Sequence, residues 1–448
     1  MQHLWFERAL LPDGWAEKVR ISVDHAMIAT IETGVAAGSD DSRHGAALPG
    51  LCNVHSHGFQ RGMAGMSERR GRAEDDFWSW REVMYRFLDR LTPDDVAAIT
   101  AQAYAEMLEA GFTRVGEFHY LHNDVDGRRY ADPAETAGAI VAAAETSGIG
   151  LTLLPVFYAQ GDFDGVSPTP GQRRFLSNPD NFARLVEASR AKLPADAVLG
   201  IAPHSLRAVT PEQLAAILPL AGNGPIHIHA AEQMREVQAC LVWSGARPVE
   251  WLLDNAPVDA RWCLVHSTHV DPNEIARLAA SGAVAGLCPI TEANLGDGIF
   301  PAVEFRAAGG RFGVGTDSNV LIDAAGELRG LEYSQRLSRR KRALLIDAAE
   351  PSVGAYLFTA AQQGGAQALG VTSGLAQGNP ADIVSLDLNH PALFGAGADL
   401  LDRWIFAARP GAIDAVWRGG RQCVAHGRHV DADAIAARYR STLTHLLA

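Results

Sequence analysis

The chain has 448 residues, 47% of them hydrophobic, and carries a formal net charge of −13 at pH 7. It is too long for one small domain and has enough apolar side chains for a large core. The negative charge argues against a nucleic-acid partner or an anionic membrane surface. The five cysteines are scattered, which favours free thiols over disulfides. We expect a cytoplasmic protein without a membrane partner, because the sequence shows neither a signal-peptide pattern nor an apolar run of bilayer length.

The predicted elements change character near Pro49. Residues 1–47 alternate apolar and polar side chains between turn signals, which is typical of short antiparallel strands. After Pro49, short apolar runs alternate with helical patterns, several of which begin with proline. We expect strands at 51–54, 113–117, 151–156, 198–203, 226–229, 262–266, 283–288 and 311–315. The helices expected between them include 93–110, 133–146, 211–220, 272–280 and 326–340.

Eight strand–helix units predict an α/β fold, a (β/α)8 TIM-type barrel, with its catalytic face at the C-terminal ends of the strands. The excursion 58–92, with an aromatic run at 77–85, is expected to lie over that face and to have a functional role. Strand patterns return at 379–386 and 415–420. We therefore expect a small β-sandwich domain from residues 1–47 plus 374–430, a catalytic barrel over 48–373 and a C-terminal helix over 431–448.

Candidate metal ligands occur at several predicted strand ends. His55 and His57 are two residues apart on the first barrel strand, so their side chains point the same way. Such a pair alone is equally consistent with packed histidines. His229 ends the fifth strand, His266 ends the sixth, and Asp317 follows the eighth. Because all of these ends lie on one face of the predicted barrel, the pattern favours a metal site.

The residue types point to metal-assisted hydrolysis. A Zn²⁺ ion would lower the pKa of a bound water from ~16 to about 7 and so supply hydroxide at neutral pH. The proposed zinc ligands are His55, His57, His229 and Asp317. No lysine lies between Lys18 and Lys192 to bridge two ions as a carbamate, so one metal per subunit is expected. Iron or another divalent metal remains an alternative to zinc.

Three residues are candidates for proton transfer. Glu232 lies just past the fifth strand, where it would suit a proton shuttle to a leaving nitrogen. The alternative is that Glu232 is an acid at a helix N-terminus that complements the helix dipole. His266 would polarise the substrate or take the proton of the water, and Asp317 would both bind the metal and accept a hydrogen bond from the water.

These motifs resemble a known family. Residues 49–57, 229–232, 266 and 315–318 are similar to the amidohydrolase superfamily, and specifically to its mononuclear, deaminase-like branch. The resemblance covers essentially the whole chain, including the β domain made from both chain ends. It implies a metal-dependent hydrolase that commonly uses zinc.

A narrower resemblance is carried by residues 57–65, 77–85 and 203–209, which are similar to the N-formimino-L-glutamate deiminase family. Gly58 and Gly62 depart from that family's pattern, which has alanine there, without altering the chemistry. The resemblance implies hydrolysis of N-formimino-L-glutamate to N-formyl-L-glutamate and ammonia in histidine degradation, and a homodimer. Carried over by motif, the substrate contacts would be Gln60, Arg81, Tyr120, His204 and Arg207.

The arginines agree with a small-molecule dicarboxylate substrate. A planar guanidinium binds a carboxylate through two hydrogen bonds, and Arg81 and Arg207 are placed for this contact. The alternative for either arginine is a surface ion pair. A deaminase of a heterocycle such as guanine is the rival enzyme, although it would call for aromatic stacking and amide contacts instead. A non-catalytic barrel scaffold is disfavoured because the proposed ligands and the proton-transfer candidates are all present.

Overall fold

The computed structural model describes residues 1–68, 77–347, 351–409 and 411–448. Its strands in these ranges are β1 (Gln2–Leu11), β2 (Gly14–Asp24), β3 (Met27–Glu32), β4 (Ser42–Pro49), β5 (Leu51–Ser56), β6 (Phe112–His119), β7 (Gly150–Phe157), β8 (Val198–Leu199), β9 (Ala202–Pro203), β10 (Ile226–Ala230), β11 (Trp262–His266), β12 (Val284–Leu287), β13 (Arg311–Val314), β14 (Ile383–Leu386), β15 (Ile413–Arg418), β16 (Arg421–Ala425) and β17 (Arg428–His429).

The α-helices in the same ranges are α1 (Phe77–Leu88), α2 (Pro93–Glu109), α3 (Glu135–Ser147), α4 (Pro179–Lys192), α5 (Pro211–Ile217), α6 (Met234–Ser244), α7 (Pro248–Asn255), α8 (Pro272–Ser281), α9 (Pro289–Leu295), α10 (Ala302–Ala307), α11 (Ala324–Arg339), α12 (Val353–Ala368), α13 (Leu400–Phe406) and α14 (Ala432–Leu447). Proline occupies the first turn of many of them, as the sequence indicates. At α2, Thr92 and Asp95 form a reciprocal capping box that fixes where the helix begins.

The first and last strands of the chain form one eight-stranded sheet. Its order is β17-β16-β15-β14-β4-β1-β2-β3, and β4 pairs with β14 in the antiparallel sense through Ala47 and Ser385. Both chain ends therefore contribute to the same sheet. Because these strands are hydrogen-bonded in a single sheet, the structure supports only in part the prediction of a β-sandwich.

The middle of the chain has the predicted parallel α/β architecture. Strands β5 to β8 form one parallel sheet, with β9 also paired to β7, and β10 to β13 form another. Single parallel bridges join the two sheets, Ile201 to Ile226 on one side and Ser56 to Asp317 on the other. The fourth predicted strand is divided at Gly200, where a Cβ atom would lie 2.3 Å from the Pro225 carbonyl oxygen. This close approach explains why a glycine interrupts the strand.

The excursion after the first barrel strand contains a helix. Residues Gly58–Met63 form a short 3-10 helix and α1 covers Phe77–Leu88, so Arg81 lies on a helix and not on a loop. Separately, no helix in the described part of the chain combines the length and apolar character needed to span a bilayer.

Candidate metal centre and active site

The four predicted metal ligands meet at one point. His55 Nε2 lies 3.1 Å from His229 Nε2 and 3.3 Å from Asp317 Oδ1. His57 Nε2 lies 3.3 Å from the same Asp317 oxygen. All four side chains are buried. The convergence follows from parallel strands, because His55 is on β5, His229 is on β10 and Asp317 follows β13.

Backbone carbonyl groups orient two of these imidazoles. His57 Nδ1 lies 2.9 Å from the Phe118 carbonyl oxygen, and His229 Nδ1 lies 3.0 Å from the His204 carbonyl oxygen. A proton on each Nδ1 donates to that oxygen, which leaves the Nε2 lone pair directed at the centre.

The ionisation of the four groups fits a divalent cation. Burial lowers the pKa of His55 to about 3 and also lowers the pKa of His57 and His229. Burial alone would raise the pKa of Asp317, but the hydrogen bond from His55 and the neighbouring imidazoles hold that pKa well below its usual range. Three neutral imidazoles and one carboxylate are a donor set that zinc and similar metals bind.

The backbone around the site is strained at residues other than glycine. His266 has a φ of 67° and Asp317 a φ of 42°, both in the left-handed region. Such conformations cost about 1 to 3 kcal/mol each and persist where surrounding contacts impose them. Here the Asp317 N–H donates to the His55 carbonyl oxygen at 2.9 Å. Asn319 Nδ2 donates to the His57 carbonyl oxygen at 3.1 Å. These bonds hold the Asp317 turn against the end of β5.

The proton-transfer candidates lie beside the ligand set. His266 Nε2 is 3.8 Å from Glu232 Oε1 and 3.9 Å from Asp317 Oδ2. Burial raises the pKa of Glu232 to about 7, so its carboxyl group can hold a proton near neutral pH. Burial by itself would lower the pKa of His266, but the carboxylates of Glu232, Glu292 and Asp317 outweigh it and raise that pKa to about 10.

The alternative role for Glu232, an acid that caps a helix N-terminus, is filled by a different residue. Glu236 accepts hydrogen bonds from the backbone N–H groups of Ala231 and Glu232, each at 3.2 Å. The Glu232 side chain, only 4% exposed, instead lines the pocket beside the metal ligands.

The sequence analysis missed Glu292 and Cys288. Glu292 Oε1 lies 3.2 Å from His266 Nδ1 and accepts the Cys288 N–H at 2.9 Å, so it orients the His266 ring. The Cys288 thiol lies within 4.8 Å of ligand atoms of His266 and Asp317. The available signal was position, because Cys288 directly follows strand β12 and Glu292 lies on α9, the helix that begins at Pro289.

The predicted substrate contacts line one pocket next to the ligand set, namely Gln60, Arg81, Tyr120, His204 and Arg207. Gln60 Nε2 donates to the Tyr120 hydroxyl at 2.8 Å, and its buried Oε1 has no partner among the described residues. Tyr158 and Phe175 add aromatic walls that the sequence analysis did not name. The pocket therefore offers both a free acceptor and apolar surface.

Arg207 is a buried arginine that lines the pocket. It is 7% exposed, and its buried Nε has no hydrogen-bond partner within the described ranges. Arg81 donates to the Tyr85 hydroxyl. Neither arginine forms an ion pair with a described residue. Burial by itself would lower the pKa of Arg207, but the nearby carboxylates of Glu236 and Glu232 outweigh it and raise that pKa. The guanidinium therefore stays charged, and its open hydrogen-bonding capacity points to an anionic ligand.

Comparison with known protein families agrees with this site. The family model described as the amidohydrolase family matches residues 46–423. The chain belongs to the amidohydrolase family. Members of this family are metal-dependent hydrolases, in agreement with the donor set described above. A second model, described as the N-terminal domain of formimidoylglutamate deiminase HutF, matches residues 1–45.

Individual relatives confirm the narrower resemblance. Formimidoylglutamate deiminase of Pseudomonas aeruginosa is 50% identical over 452 aligned positions, covering 100% of both chains. The crystal structure of an amidohydrolase from Brucella melitensis superposes with a TM-score of 0.97, at 52% identity and 100% coverage of both chains. An 8-oxoguanine deaminase of Pseudomonas aeruginosa is 30% identical, covering 91% of this chain and 89% of the relative.

Proposed function

We propose that this amidohydrolase converts N-formimino-L-glutamate and water to N-formyl-L-glutamate and ammonia, as a step of histidine degradation. The reaction follows from the 50% identity to a formimidoylglutamate deiminase over the full chain. The observation that carries the substrate is Arg207, a buried guanidinium whose Nε has no hydrogen-bond partner among the described residues, in the pocket beside a metal-type donor set. A substrate with two carboxylates and one formimino group supplies both an acceptor for that guanidinium and a hydrolysable carbon.

The proposed cofactor is one divalent metal ion per subunit, with zinc the first choice and iron or manganese the alternatives. His55, His57, His229 and Asp317 would hold it. A cation bound there activates a water molecule for attack at neutral pH. The buried neutral imidazoles and the ionised Asp317 support this ligand set.

The pocket residues orient the substrate. Arg207 and Arg81 bind its carboxylates, since a guanidinium presents two parallel N–H donors to a carboxylate. The Gln60 Oε1 atom, buried and without a partner in the described chain, accepts an N–H of the formimino group. Tyr120 holds that amide through its 2.8 Å hydrogen bond, and His204 lines the same pocket.

The reaction moves both protons of the attacking water to the departing nitrogen. Asp317 takes one proton from the water as its oxygen bonds to the formimino carbon, which becomes tetrahedral, and this proton passes to the former imino nitrogen. His266, whose raised pKa keeps it protonated, polarises the substrate. Glu232 donates a proton to the departing nitrogen, the C–N bond breaks and ammonia leaves. The hydroxyl proton passes back to Glu232 as the carbonyl of the formyl group forms. The raised pKa of Glu232, about 7, supports its role as the acid.

The same proposal includes the finer architecture. We take the eight parallel strand positions as a closed (β/α)8 barrel over residues 48–373, supported by the bridges at Ile201 and Ser56. Residues 1–47 plus 374–430 form the small β domain. Its strands share one apolar cluster that includes Phe6, Ile21 and Trp417, as in a sandwich. Residues 431–448 form the C-terminal helix. A homodimer and a cytoplasmic location remain predictions from the sequence.

Ammonia release tests the proposal. The metal-loaded protein is assayed with N-formimino-L-glutamate and, side by side, with guanine and 8-oxoguanine. We expect release from the first compound alone. Release from the purines alone would refute the dicarboxylate substrate, although it would still be consistent with the metal centre and with deamination. That result would agree with the relatedness to 8-oxoguanine deaminase and with the aromatic pocket walls.

A further inference from the structure

Three guanidinium groups surround the indole ring of Trp78. The guanidinium carbon of Arg235 lies 4.3 Å from the ring centroid, that of Arg81 lies 5.4 Å away, and that of Arg207 lies 5.6 Å away. All three distances are within the range of cation–π attraction, for which tryptophan is the best partner. The three arginines come from separate parts of the chain, and the Trp78 ring is the contact that they share.

The guanidiniums of this cluster form no ion pair with a carboxylate of the described residues, and Glu236 and Glu232 act on Arg207 only through the electrostatic field that raises its pKa. Arg235 is exposed and forms no hydrogen bond or ion pair with a described residue, and Arg207 likewise forms none. Arg81 has the neutral Tyr85 hydroxyl as its hydrogen-bond acceptor. Like charges held this close repel one another, and the attraction of an aromatic face offsets only part of that repulsion. The arrangement is therefore stabilised when an anion binds.

Trp78 and Arg235 differ in position from Arg81 and Arg207. Arg81 and Arg207 line the pocket, whereas Trp78 and Arg235 are not among its lining residues in the described chain. Trp78 lies on α1 and Arg235 on α6, which follow the first and fifth barrel strands. An effect of either residue on the substrate must accordingly pass through Arg81 and Arg207 or through the electrostatic field.

We propose that Trp78 and Arg235, stacked on one another, determine the preference of the pocket for a doubly negative substrate. Trp78 is a positioning residue that holds the Arg81 and Arg207 guanidiniums in place for two carboxylates. Arg235 adds a third positive charge to the field that those carboxylates experience. The inference rests on the proposed function and extends it from the two arginines in the pocket to the residues that orient them.

The charge of Arg235 should affect a dianionic substrate more than a monoanionic one. Coulomb energy scales with the product of the charges, so Arg235 stabilises a bound dianion about twice as much as a bound monoanion. Loss of Arg235 should therefore change the logarithm of KM about twice as much for N-formimino-L-glutamate as for N-formiminoglycine, which has one carboxylate. Salt weakens the field of an exposed charge, so the difference should shrink as ionic strength rises.

The test uses the metal-loaded enzyme and the variants Arg235→Met, Trp78→Leu and Trp78→Phe. Arg128→Met is the matched control, because the Arg128 side chain is 88% exposed and its guanidinium is not one of those placed over the Trp78 ring. For Arg235→Met we expect KM to rise roughly 3- to 10-fold for N-formimino-L-glutamate and roughly 2- to 3-fold for N-formiminoglycine, with kcat within about twofold of the parent value.

The Trp78 variants separate positioning from general damage. We expect Trp78→Leu to raise KM for the dianion by about tenfold or more, and Trp78→Phe, which keeps an aromatic face, to recover most of it. Calorimetric titration with N-formyl-L-glutamate and N-formylglycine measures the same preference without turnover. Arg235→Met, at an exposed site, keeps the test decisive if Trp78→Leu does not fold.

Equal losses on the two substrates, or no loss in Arg235→Met, would overturn the inference. These outcomes are distinct from failure of the proposed function, because in that case the parent enzyme itself would release no ammonia from N-formimino-L-glutamate. A change of the same size in Arg128→Met would also count against the inference, since Arg128 neither lines the pocket nor lies over the Trp78 ring.

Discussion

Replacing Arg207 by methionine tests the substrate assignment most directly. The Arg207 side chain is 7% exposed, lines the pocket and has no hydrogen-bond partner for its buried Nε among the described residues. Arg207→Met keeps an unbranched chain of similar width but removes the charge and the two parallel donors. We expect weak binding of N-formimino-L-glutamate, with the chemical step largely intact in the molecules that do bind.

The size of the effect follows from burial. Removing one partner of a buried, hydrogen-bonded charge pair typically costs about 2 to 5 kcal/mol. At 1.4 kcal/mol per tenfold, this corresponds to roughly 30- to 4,000-fold in KM. Because Arg81 remains to bind one carboxylate, we expect the lower part of this range, about 30- to 300-fold. Arg207→Lys, which keeps a charge without the planar fork, should fall between the parent and the methionine variant.

Ammonia release under steady-state conditions gives kcat and KM for each variant. Thermal unfolding serves as the structural control. Because Arg207 makes no hydrogen bond or ion pair with a described residue, the melting temperature should change by no more than a few degrees. An unchanged KM in a well-folded Arg207→Met protein would refute the carboxylate contact. A large drop in melting temperature with normal KM would assign Arg207 a structural role instead.

Three further results are expected. Glu232→Gln should lower kcat about 10²- to 10⁴-fold with little change in KM, because the acid for the leaving nitrogen is lost. The control Glu187→Gln, at an 81% exposed side chain, should leave kcat and KM unchanged. Normal turnover in Glu232→Gln would remove that residue from the mechanism. Chelation should abolish ammonia release, and adding back Zn²⁺, Fe²⁺ and Mn²⁺ in turn, with metal content measured, identifies the metal; activity that survives complete metal removal would contradict the ligand set. Burial lowers the pKa of His122 from 6.5 to about 4, so on acidification His122 is protonated in the unfolded chain before it is protonated in the folded one. The free energy of unfolding should therefore fall by up to about 3 kcal/mol as pH drops from about 6.5 to about 4. Denaturant titrations should give a shallower pH dependence in that window for His122→Gln but not for the exposed control His25→Gln, and an unchanged dependence in His122→Gln would exclude His122 as its source.

Local patterns in the sequence determined much of the site. The two-residue period of a strand places His55 and His57 on one side, and parallel strands bring their C-terminal ends together. These two rules suffice to bring His229 and Asp317 to the same point without any knowledge of packing. The alternation of strands and helices likewise predicts the parallel α/β architecture, and the proline-led helix starts fall close to where the structure has them.

Contacts between side chains far apart in sequence required the tertiary structure. Glu292 reaches His266 from 26 residues away, and Gln60 reaches Tyr120 from 60 residues away. No periodicity records such pairs, because each depends on how separate loops pack over the ends of the strands. The single terminal sheet, with β4 between β1 and β14, is a result of the same kind.

The sequence by itself thus determined which residue types stand at the strand ends, and with them the family and the metal chemistry. Only the tertiary structure decided which charges are left without a partner. An arginine in a sequence is as consistent with a surface ion pair as with a ligand contact. We propose Arg207 as an anion-binding group because the folded chain buries it beside Trp78 with no carboxylate within hydrogen-bonding distance in the described residues. Burial and pairing depend on the whole fold, whereas strand periodicity depends on neighbouring residues alone.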